Sequence, residues 1–551
     1  MKRYILDLKL YWKYIKKYTK GHYITLFIAF VTLIIGTLLQ LPAPFFFKKI
    51  IDEVIPTGNY KTLLLYGILI TFIIILRETS SYLTRTLSLK MRNSIDEKLR
   101  VDLLRTYYSL PYNYIISNSP GYFVSRIFDE PYEFEEVLIN TSMHLGKSIL
   151  ILIFGIIACF TLSVKLTLIT ALFIPIFQGL NSLYGKIIKP KVKHIREEEA
   201  QLKGYLNEYL LAYKIIKIFD AASMIINSFR SHLREFLKKN AEQIRLSWGF
   251  SLLYNSLSDL IPVIIVTLGA MEIIRGNLTI GSLIAFLSLA NYIIMPVQNI
   301  SEIIIEIENA IALMERMEEL LTIPSPYKGG ITINRIHSLK IHSLSISIRG
   351  RKLIDRLDLD IKPGDRVLIL GENGSGKTTL LHALHGFIEN KEGEICINNI
   401  SFNRINKDSF LRYVSSSFQP PQLLPGGLKE NLFISKKQFN RKHINYLFEK
   451  FKLKKRFNLL EESIEWGGIN LSDGEKQKIQ IIRTLLKDAG IYIFDEPLSN
   501  IDELSKEAIL DEIFKRTKNK ILIMTLHGNE RFYNHFNKII YLGKKIQEVY
   551  K

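Results

Sequence analysis

Cysteine is nearly absent from this chain: Cys159 and Cys396 are the two among 551 residues. Neither a disulfide framework nor a CxxC metal site can be built from them, so both read as packing residues, Cys159 in a membrane helix and Cys396 in a strand. Internal repeats and low-complexity segments are also missing, which excludes a solenoid or a disordered array. The formal net charge of +20 brings nucleic acid to mind. No segment interleaves aromatic and basic residues as nucleic-acid modules do, and nucleic acid is not expected as a partner. The charge has a simpler source. Lys2, Arg3, Lys9, Lys13, Lys16, Lys17 and Lys20 precede the first apolar run, where positive charge fixes a cytoplasmic N-terminus and meets anionic membrane lipid. A cleavable signal peptide is not expected either, because the charged segment is long and the apolar stretch from Tyr23 to Leu41 exceeds an h-region. Residues 1–20 read as an interfacial helix ahead of a true span.

What the chain has in plenty is apolar sequence, 48% of its residues, concentrated in the first 300. Crossing a hydrocarbon core of about 30 Å takes roughly 17–25 such residues. Six runs are long enough: Tyr23 to Phe47, Leu63 to Tyr82, His144 to Leu162, Leu166 to Leu183, Phe250 to Ile274 and Ile280 to Val297. An even number returns the chain to the cytoplasm. Ser163-Val164-Lys165 and Arg275-Gly276-Asn277-Leu278-Thr279 are tight external turns, whereas Arg85 to Thr141 and Gly185 to Trp248 are long, charged and helically patterned. These two should reach well into the cytoplasm and present short turns near Tyr112 to Ser119 and Phe219 to Ser223 to a partner domain.

The Pro- and Gly-marked stretch Ile323-Pro324-Ser325-Pro326-Tyr327-Lys328-Gly329-Gly330 cannot continue a helix. The expected organisation is therefore a transmembrane domain over 1–322, a linker over 323–330 and a second domain over 331–551. In that second domain short β-branched strands alternate with helices, the pattern of an α/β fold around a largely parallel sheet. The fold class is a six-helix membrane domain with long cytoplasmic extensions, followed by an α/β nucleotide-binding domain.

The strand Arg366 to Leu370 runs into Gly371-Glu372-Asn373-Gly374-Ser375-Gly376-Lys377-Thr378, a GxxxxGK[ST] loop that opens a helix continuing through Thr379. Glycines let the backbone N–H groups of such a loop close around phosphates at a helix N-terminus. Lys377 would reach the β- and γ-phosphates, and Thr378 would ligate Mg²⁺. Further on, the apolar strand Ile491 to Phe494 ends in Asp495-Glu496-Pro497. Adjacent acids at the end of a buried strand are costly unless a cation or substrate uses them. Asp495 suits Mg²⁺, and Glu496 suits the water that attacks a γ-phosphate.

Between these motifs lies Leu471-Ser472-Asp473-Gly474-Glu475-Lys476-Gln477, which resembles the LSGGQ signature of ATP-binding cassette proteins. The resemblance extends to Gln419 in Ser417-Phe418-Gln419-Pro420, to Ser499-Asn500-Ile501-Asp502 and to His527 in Thr525-Leu526-His527-Gly528. It implies that Gln419 links Mg²⁺ and water to the membrane domain, that the 499–502 loop contacts another subunit, and that His527 is the switch histidine. Ser472 and Gly474 would complete the ATP site of an opposite subunit. The membrane half is similar to the exporter branch in Ile280 to Phe286 with Pro296-Val297, in Gly121 to Arg126, and in Arg196 to Ala200 with Lys217 to Phe219.

Two departures stand out. The position that family exporters fill with an adenine-stacking aromatic is read here as Ile346, with Arg349 as a cation–π substitute. Asp473 replaces the first glycine of the signature, and a carboxylate turned toward a γ-phosphate would be repulsive. The resemblance implies an ATPase that uses ATP and Mg²⁺ to export an amphipathic peptide, lipid, glycolipid or drug, or to move it between leaflets. The resemblance further implies that it would work as a homodimer, or with a related half-transporter, in the cytoplasmic membrane with both termini inside. An ATP-gated channel, a regulatory subunit, or one half of a slowly hydrolysing heterodimer are the alternatives, and Glu496 with His527 argues against a subunit that does not hydrolyse. No Cys/His peptidase domain is seen before the first span, so leader cleavage is not expected. Gln40, Arg77, Glu78, Arg85, Gln178, Asn181, Asp259, Asn291, Gln298, Asn299 and Glu302 are candidate cavity residues, because polar groups are costly against lipid.

Overall fold

The computed structural model describes residues 14, 16–326, 329–348, 351–388, 391–432, 441–453, 463–464, 470–528, 530–543 and 548–550. Arg349, most of the proposed interfacial helix, and the side chains of Arg196, Ala200, Gln298 and Glu302 lie outside the described residues. The chain divides into two compact units, one of residues 1–104 and 124–321, the other of 105–123 and 322–551.

The first unit is helical. Among the described residues six helical segments are long and apolar enough to cross a membrane: Tyr23–Thr57, Tyr60–Tyr107, Pro120–Leu162, Val164–Leu211, Ala222–Ile274 and Ile280–Val297. Each of the six apolar runs read from the sequence falls within, or largely within, one of them. The 48-residue helices Tyr60–Tyr107 and Val164–Leu211 are about 72 Å long at 1.5 Å per residue, more than twice a hydrocarbon core. Their charged halves therefore project beyond it. In five of the six spans the apolar window is at most 22% buried, as expected of helices that face lipid, while Ile280–Val297 is 61% buried and forms the centre of the packing.

Small residues let the helices approach closely. A Cβ on Gly155 would stand 2.9 Å from that of Tyr292, and one on Gly281 would stand 2.6 Å from the Lys48 carbonyl. At one end of the bundle Asp52 accepts from the Gly281 N–H at 2.8 Å and from the Thr279 hydroxyl at 2.5 Å. The turn at Ser163 is tight because its hydroxyl caps the following helix, accepting from the Leu166 N–H at 3.3 Å.

The second unit is built on a six-stranded sheet in the order Glu548–Tyr550, Lys538–Leu542, Arg366–Gly371, Ile521–Thr525, Ile491–Phe494, Val414–Ser417. All neighbours run parallel except the first pair. Side chains alternate between faces along a strand, and here both faces are apolar. Val367, Ile369, Ile491, Ile493, Ile521 and Ile523 enter one core, which is shared with the antiparallel sheet of Arg351–Ile361, Leu339–Ile348, Lys391–Ile397 and Ile400–Ser401. Leu368, Leu370, Tyr492, Phe494, Leu522 and Met524 enter the other, with Ile479, Ile482 and Leu485 of the helix Asp473–Leu486. A sheet covered on both sides needs continuous apolar runs in place of alternation, which is why these strands read as they do. The short helix Tyr112–Ser117 packs in this unit, with the Tyr112 ring stacked on Phe387 at 4.9 Å and edge-on to His382 at 5.4 Å.

Candidate functional site

Ligand sites in open α/β sheets form at the carboxyl ends of the strands, and the candidate residues converge there. The sheet order sets four parallel strands side by side. The strand ending at Gly371 leads into the phosphate loop, and its neighbour ending at Thr525 carries His527 two residues on. The next, ending at Phe494, carries Asp495 and Glu496, and the last, ending at Ser417, carries Gln419 two residues on.

Gly371 permits the turn out of its strand: φ is +151°, and a Cβ there would stand 2.3 Å from the Leu542 carbonyl. Glu372, Asn373 and Gly374 are exposed, leaving the mouth of the loop open, while Lys377 is buried. The Lys377 ammonium donates to the Gly371 carbonyl at 2.7 Å and the Glu372 carbonyl at 3.3 Å, which folds it over the loop. Thr379 follows Thr378 in the first turn of Lys377–Leu384. The Ser375 hydroxyl oxygen is buried with no hydrogen-bond partner among the described residues. A donor without an acceptor at this point suits a phosphate oxygen.

A line of hydrogen bonds joins the loop to the acids. The Thr378 hydroxyl donates to Asp495 Oδ2 at 3.2 Å, and the Thr525 hydroxyl donates to Asp495 Oδ1 at 2.7 Å. The Glu496 N–H donates in turn to the Thr525 oxygen at 2.8 Å. Glu496 has φ of +45°, a left-handed conformation that costs a non-glycine residue about 1–2 kcal/mol. Its carbonyl is gripped by the Ser499 hydroxyl at 2.9 Å and the Gln477 amide at 3.4 Å, contacts that hold the turn. The Thr378 hydroxyl and the Asp495 carboxylate together offer the hard oxygen ligands that Mg²⁺ prefers. Among the described residues no group of three or more His, Cys, Asp or Glu could hold a metal by itself, so phosphate oxygens and water would complete the set.

Ser472 caps the helix Asp473–Leu486 in a reciprocal box: its hydroxyl accepts from the Glu475 N–H at 3.3 Å, and Glu475 accepts from the Ser472 N–H at 2.9 Å. Asp473 points outward, 73% exposed, with the Lys476 ammonium 3.3 Å away. Gly474 lies against the 499–502 loop, where a Cβ would stand 2.7 Å from the Asn500 carbonyl. That loop is anchored by Lys478, whose ammonium donates to Asp502 at 2.7 Å and Ser505 at 3.2 Å. The Lys478 hydrogen bond, followed by that of Ser505, pulls the Asp502 carboxyl down to about 2. Gln419 and His527 are both exposed.

Ile346 requires a correction. It is fully buried, paired across the sheet with Ile354 and Lys391, and belongs to the same core as Leu344. Strand alternation turns it inward, away from any nucleotide base. Sequence reasoning also missed Thr525, which links the Asp495 carboxylate to the Glu496 backbone N–H, and Gln480, whose side chain accepts from the Gln422 N–H at 3.2 Å and donates to the Phe418 carbonyl at 2.9 Å. One signal was available for Thr525, a polar residue closing an apolar strand. Gln480 gave none.

Comparison with known proteins agrees with this geometry. Residues 26–297 match the family model of the ABC transporter transmembrane region, and residues 354–499 match the family model described as ABC transporter. The transport/processing ATP-binding protein ComA of Streptococcus pneumoniae is 23% identical over 510 residues, 90% of this chain and 70% of that protein. The lactococcin-A transport/processing ATP-binding protein LcnC of Lactococcus lactis is 24% identical over 89% of this chain and 69% of its own length. The putative multidrug export ATP-binding/permease protein YgaD of Bacillus subtilis is 24% identical over 97% and 94%. With a membrane region and a nucleotide-binding region fused in one polypeptide, the chain belongs to the ATP-binding cassette family as an exporter-type half-transporter, an ATPase coupled to transport.

Proposed function

We propose that two copies of this chain close around ATP to drive an amphipathic substrate across the cytoplasmic membrane, or from its inner to its outer leaflet, by alternating access. The observation that carries this reading is the hydrogen-bonded line from Thr378 through Asp495 and Thr525 to Glu496, which sets a cation ligand beside a proton acceptor at the phosphate loop. In this reading Lys377 exchanges its two carbonyl partners for β- and γ-phosphate oxygens, and the Ser375 hydroxyl finds its acceptor there. Thr378 and Asp495 hold Mg²⁺, which when bound draws charge from the phosphate oxygens. Glu496 orients a water and takes its proton as the water oxygen bonds to the γ-phosphorus and the bond to the ADP oxygen breaks. Gln419 and His527 flank this point from neighbouring strand ends.

Each chain has one phosphate loop and one Ser472–Gly474 helix start. A two-fold pair offers each loop the partner's helix start and closes two sites. Six spans and a lysine-rich N-terminal segment support a reading in which the nucleotide-binding domain and both termini are cytoplasmic. Relatives named for lactococcin transport and for multidrug export support an amphipathic cargo, peptide or small molecule. The test is Mg²⁺-dependent ATP hydrolysis by the purified full chain in lipid nanodiscs. Glu496→Gln is expected to lower turnover by about 10²–10⁴-fold, the usual worth of a positioned base, with ATP binding kept. Well-folded wild-type chain that binds ATP without hydrolysing it would replace the self-sufficient pump with a regulatory subunit or an obligate heterodimer.

A further inference from the structure

Within the first unit a cavity of about 600 Å³ opens between the helices Tyr23–Leu38, Tyr60–Tyr107 and Ser142–Leu162. Its ionisable lining is lopsided: Arg77, Arg85, Arg92 and Lys147 against the single acid Glu78, with His144 beside them. Glu78 is already taken, 2.6 Å from Arg77. Arg92 is met from outside the cavity by Glu135 at 2.9 Å and Glu136 at 2.8 Å. That leaves Lys147 and Arg85, neither with a carboxylate within 4.0 Å among the described residues, although Arg85 also lines an adjoining cavity that carries Glu133, Glu136 and Glu306.

Depth sharpens the imbalance. Arg77 is 17 residues into the helix that opens at Tyr60, and Lys147 is 15 residues before the helix end at Leu162. At 1.5 Å per residue both stand about 22–26 Å from those ends, still within a core of about 30 Å. Arg85 follows two turns beyond Arg77 on the same helix and lines the same cavity as Lys147. Cations at such a depth are held there by a partner or by what passes through. Ser81 adds a hydroxyl to the same walls, suited to an outer oxygen of a phosphate or carboxylate, while the Thr32 and Thr37 hydroxyls donate to the Ala29 and Leu33 carbonyls of their own helix.

We propose that this cavity takes an amphiphile with an anionic headgroup, the carboxylate or phosphate seated at Lys147 and Arg85 and the alkyl part left toward the lipid. The inference rests on the export reading and gives its substrate a charge class. Two sources share this chemistry, an exported anionic amphiphile and a resident anionic lipid of the inner leaflet.

The experiment measures saturable binding, without nucleotide, of an NBD-labelled dodecanoate and a matched NBD-labelled dodecyltrimethylammonium to the full chain in phosphatidylcholine nanodiscs, corrected by empty discs. The anionic probe is expected to bind about tenfold or more tightly than the cationic one, the ratio set by one well-placed charge contact. Lys147→Gln should remove most of that ratio and Lys147→Arg should keep it, with Arg85→Gln as the second variant if Lys147→Gln does not fold. Competition from phosphatidylglycerol added to the disc assigns the site to bilayer lipid, and its absence assigns it to cargo. Equal affinity for both probes, or a ratio untouched by Lys147→Gln and Arg85→Gln, overturns the proposal. Loss of charge preference with ATP hydrolysis intact fails this inference alone. Charge preference with no hydrolysis fails the pump instead.

Discussion

At the scale of single residues, the acids at the end of the Ile491–Phe494 strand derive their arrangement from Thr525. The motifs themselves were legible, since glycines, a lysine and paired acids must sit at fixed offsets from a strand end. Thr525 was not, because its bond to Asp495 spans 30 residues and depends on which strands are neighbours. Ile346 was misjudged for a related reason: spacing from the phosphate loop says nothing about which face of a strand is inward. The outward turn of Asp473, with its Lys476 partner, bears on the altered signature. Asp473→Gly should change ATP turnover less than about threefold while costing roughly 0.5–1 kcal/mol, through the lost helix-dipole contact and a weaker helix former. Steady-state hydrolysis and urea unfolding measure the two, and a tenfold rise in turnover would show that the carboxylate meets the phosphate in the closed dimer. Gly474→Ala inserts a methyl 2.7 Å from the Asn500 carbonyl. Overpacking of this kind costs about 1–3 kcal/mol, and the displaced 499–502 loop should lower hydrolysis with it. Unchanged unfolding and turnover would mean that the loop yields freely.

At the scale of elements, the six spans were legible because bilayer thickness dictates their length, and the strand runs because a doubly covered sheet must be apolar throughout. The contents of the short helix Lys377–Leu384 and its C-terminal turn were less so. His385 is buried there, bonded through Nδ1 to the Leu381 carbonyl at 2.6 Å and through Nε2 to the Ser416 hydroxyl at 2.5 Å. With one nitrogen donating and the other accepting, the neutral ring is satisfied and a second proton has no place. Burial pushes its pKa down to about 4 from the ordinary histidine value of about 6.5. The unfolded chain therefore binds a proton that the native one refuses between those values, and stability is full above about pH 6.5 and lost as pH falls toward 4. Lowering pH from 7.5 to 5.5 should cost about 1 kcal/mol through this group. Thermal unfolding of the full chain at the two pH values reads this. In His385→Asn the difference should shrink, whereas an equal difference in wild type and variant would place the effect on other groups.

At the scale of the whole molecule, the sequence announces two halves and their chemistries. Of the polar span residues it offers as cavity candidates, Gln40, Arg77, Glu78 and Arg85 line one chamber with Arg92, His144 and Lys147. The last three could not be picked out by composition, because convergence of separate helices is a tertiary fact. The central claim is that ATP draws the nucleotide-binding domains of two copies together. The direct measurement is the distance between spin labels on a cysteine placed at exposed Lys518 in the Glu496→Gln chain in nanodiscs, since native Cys159 and Cys396 are both buried. With Mg²⁺ and ATP, the distribution between copies should narrow and shorten relative to nucleotide-free protein, and the shift should vanish when Lys377→Ala is added. A distribution that ATP leaves unchanged, in protein that demonstrably binds it, would contradict the account.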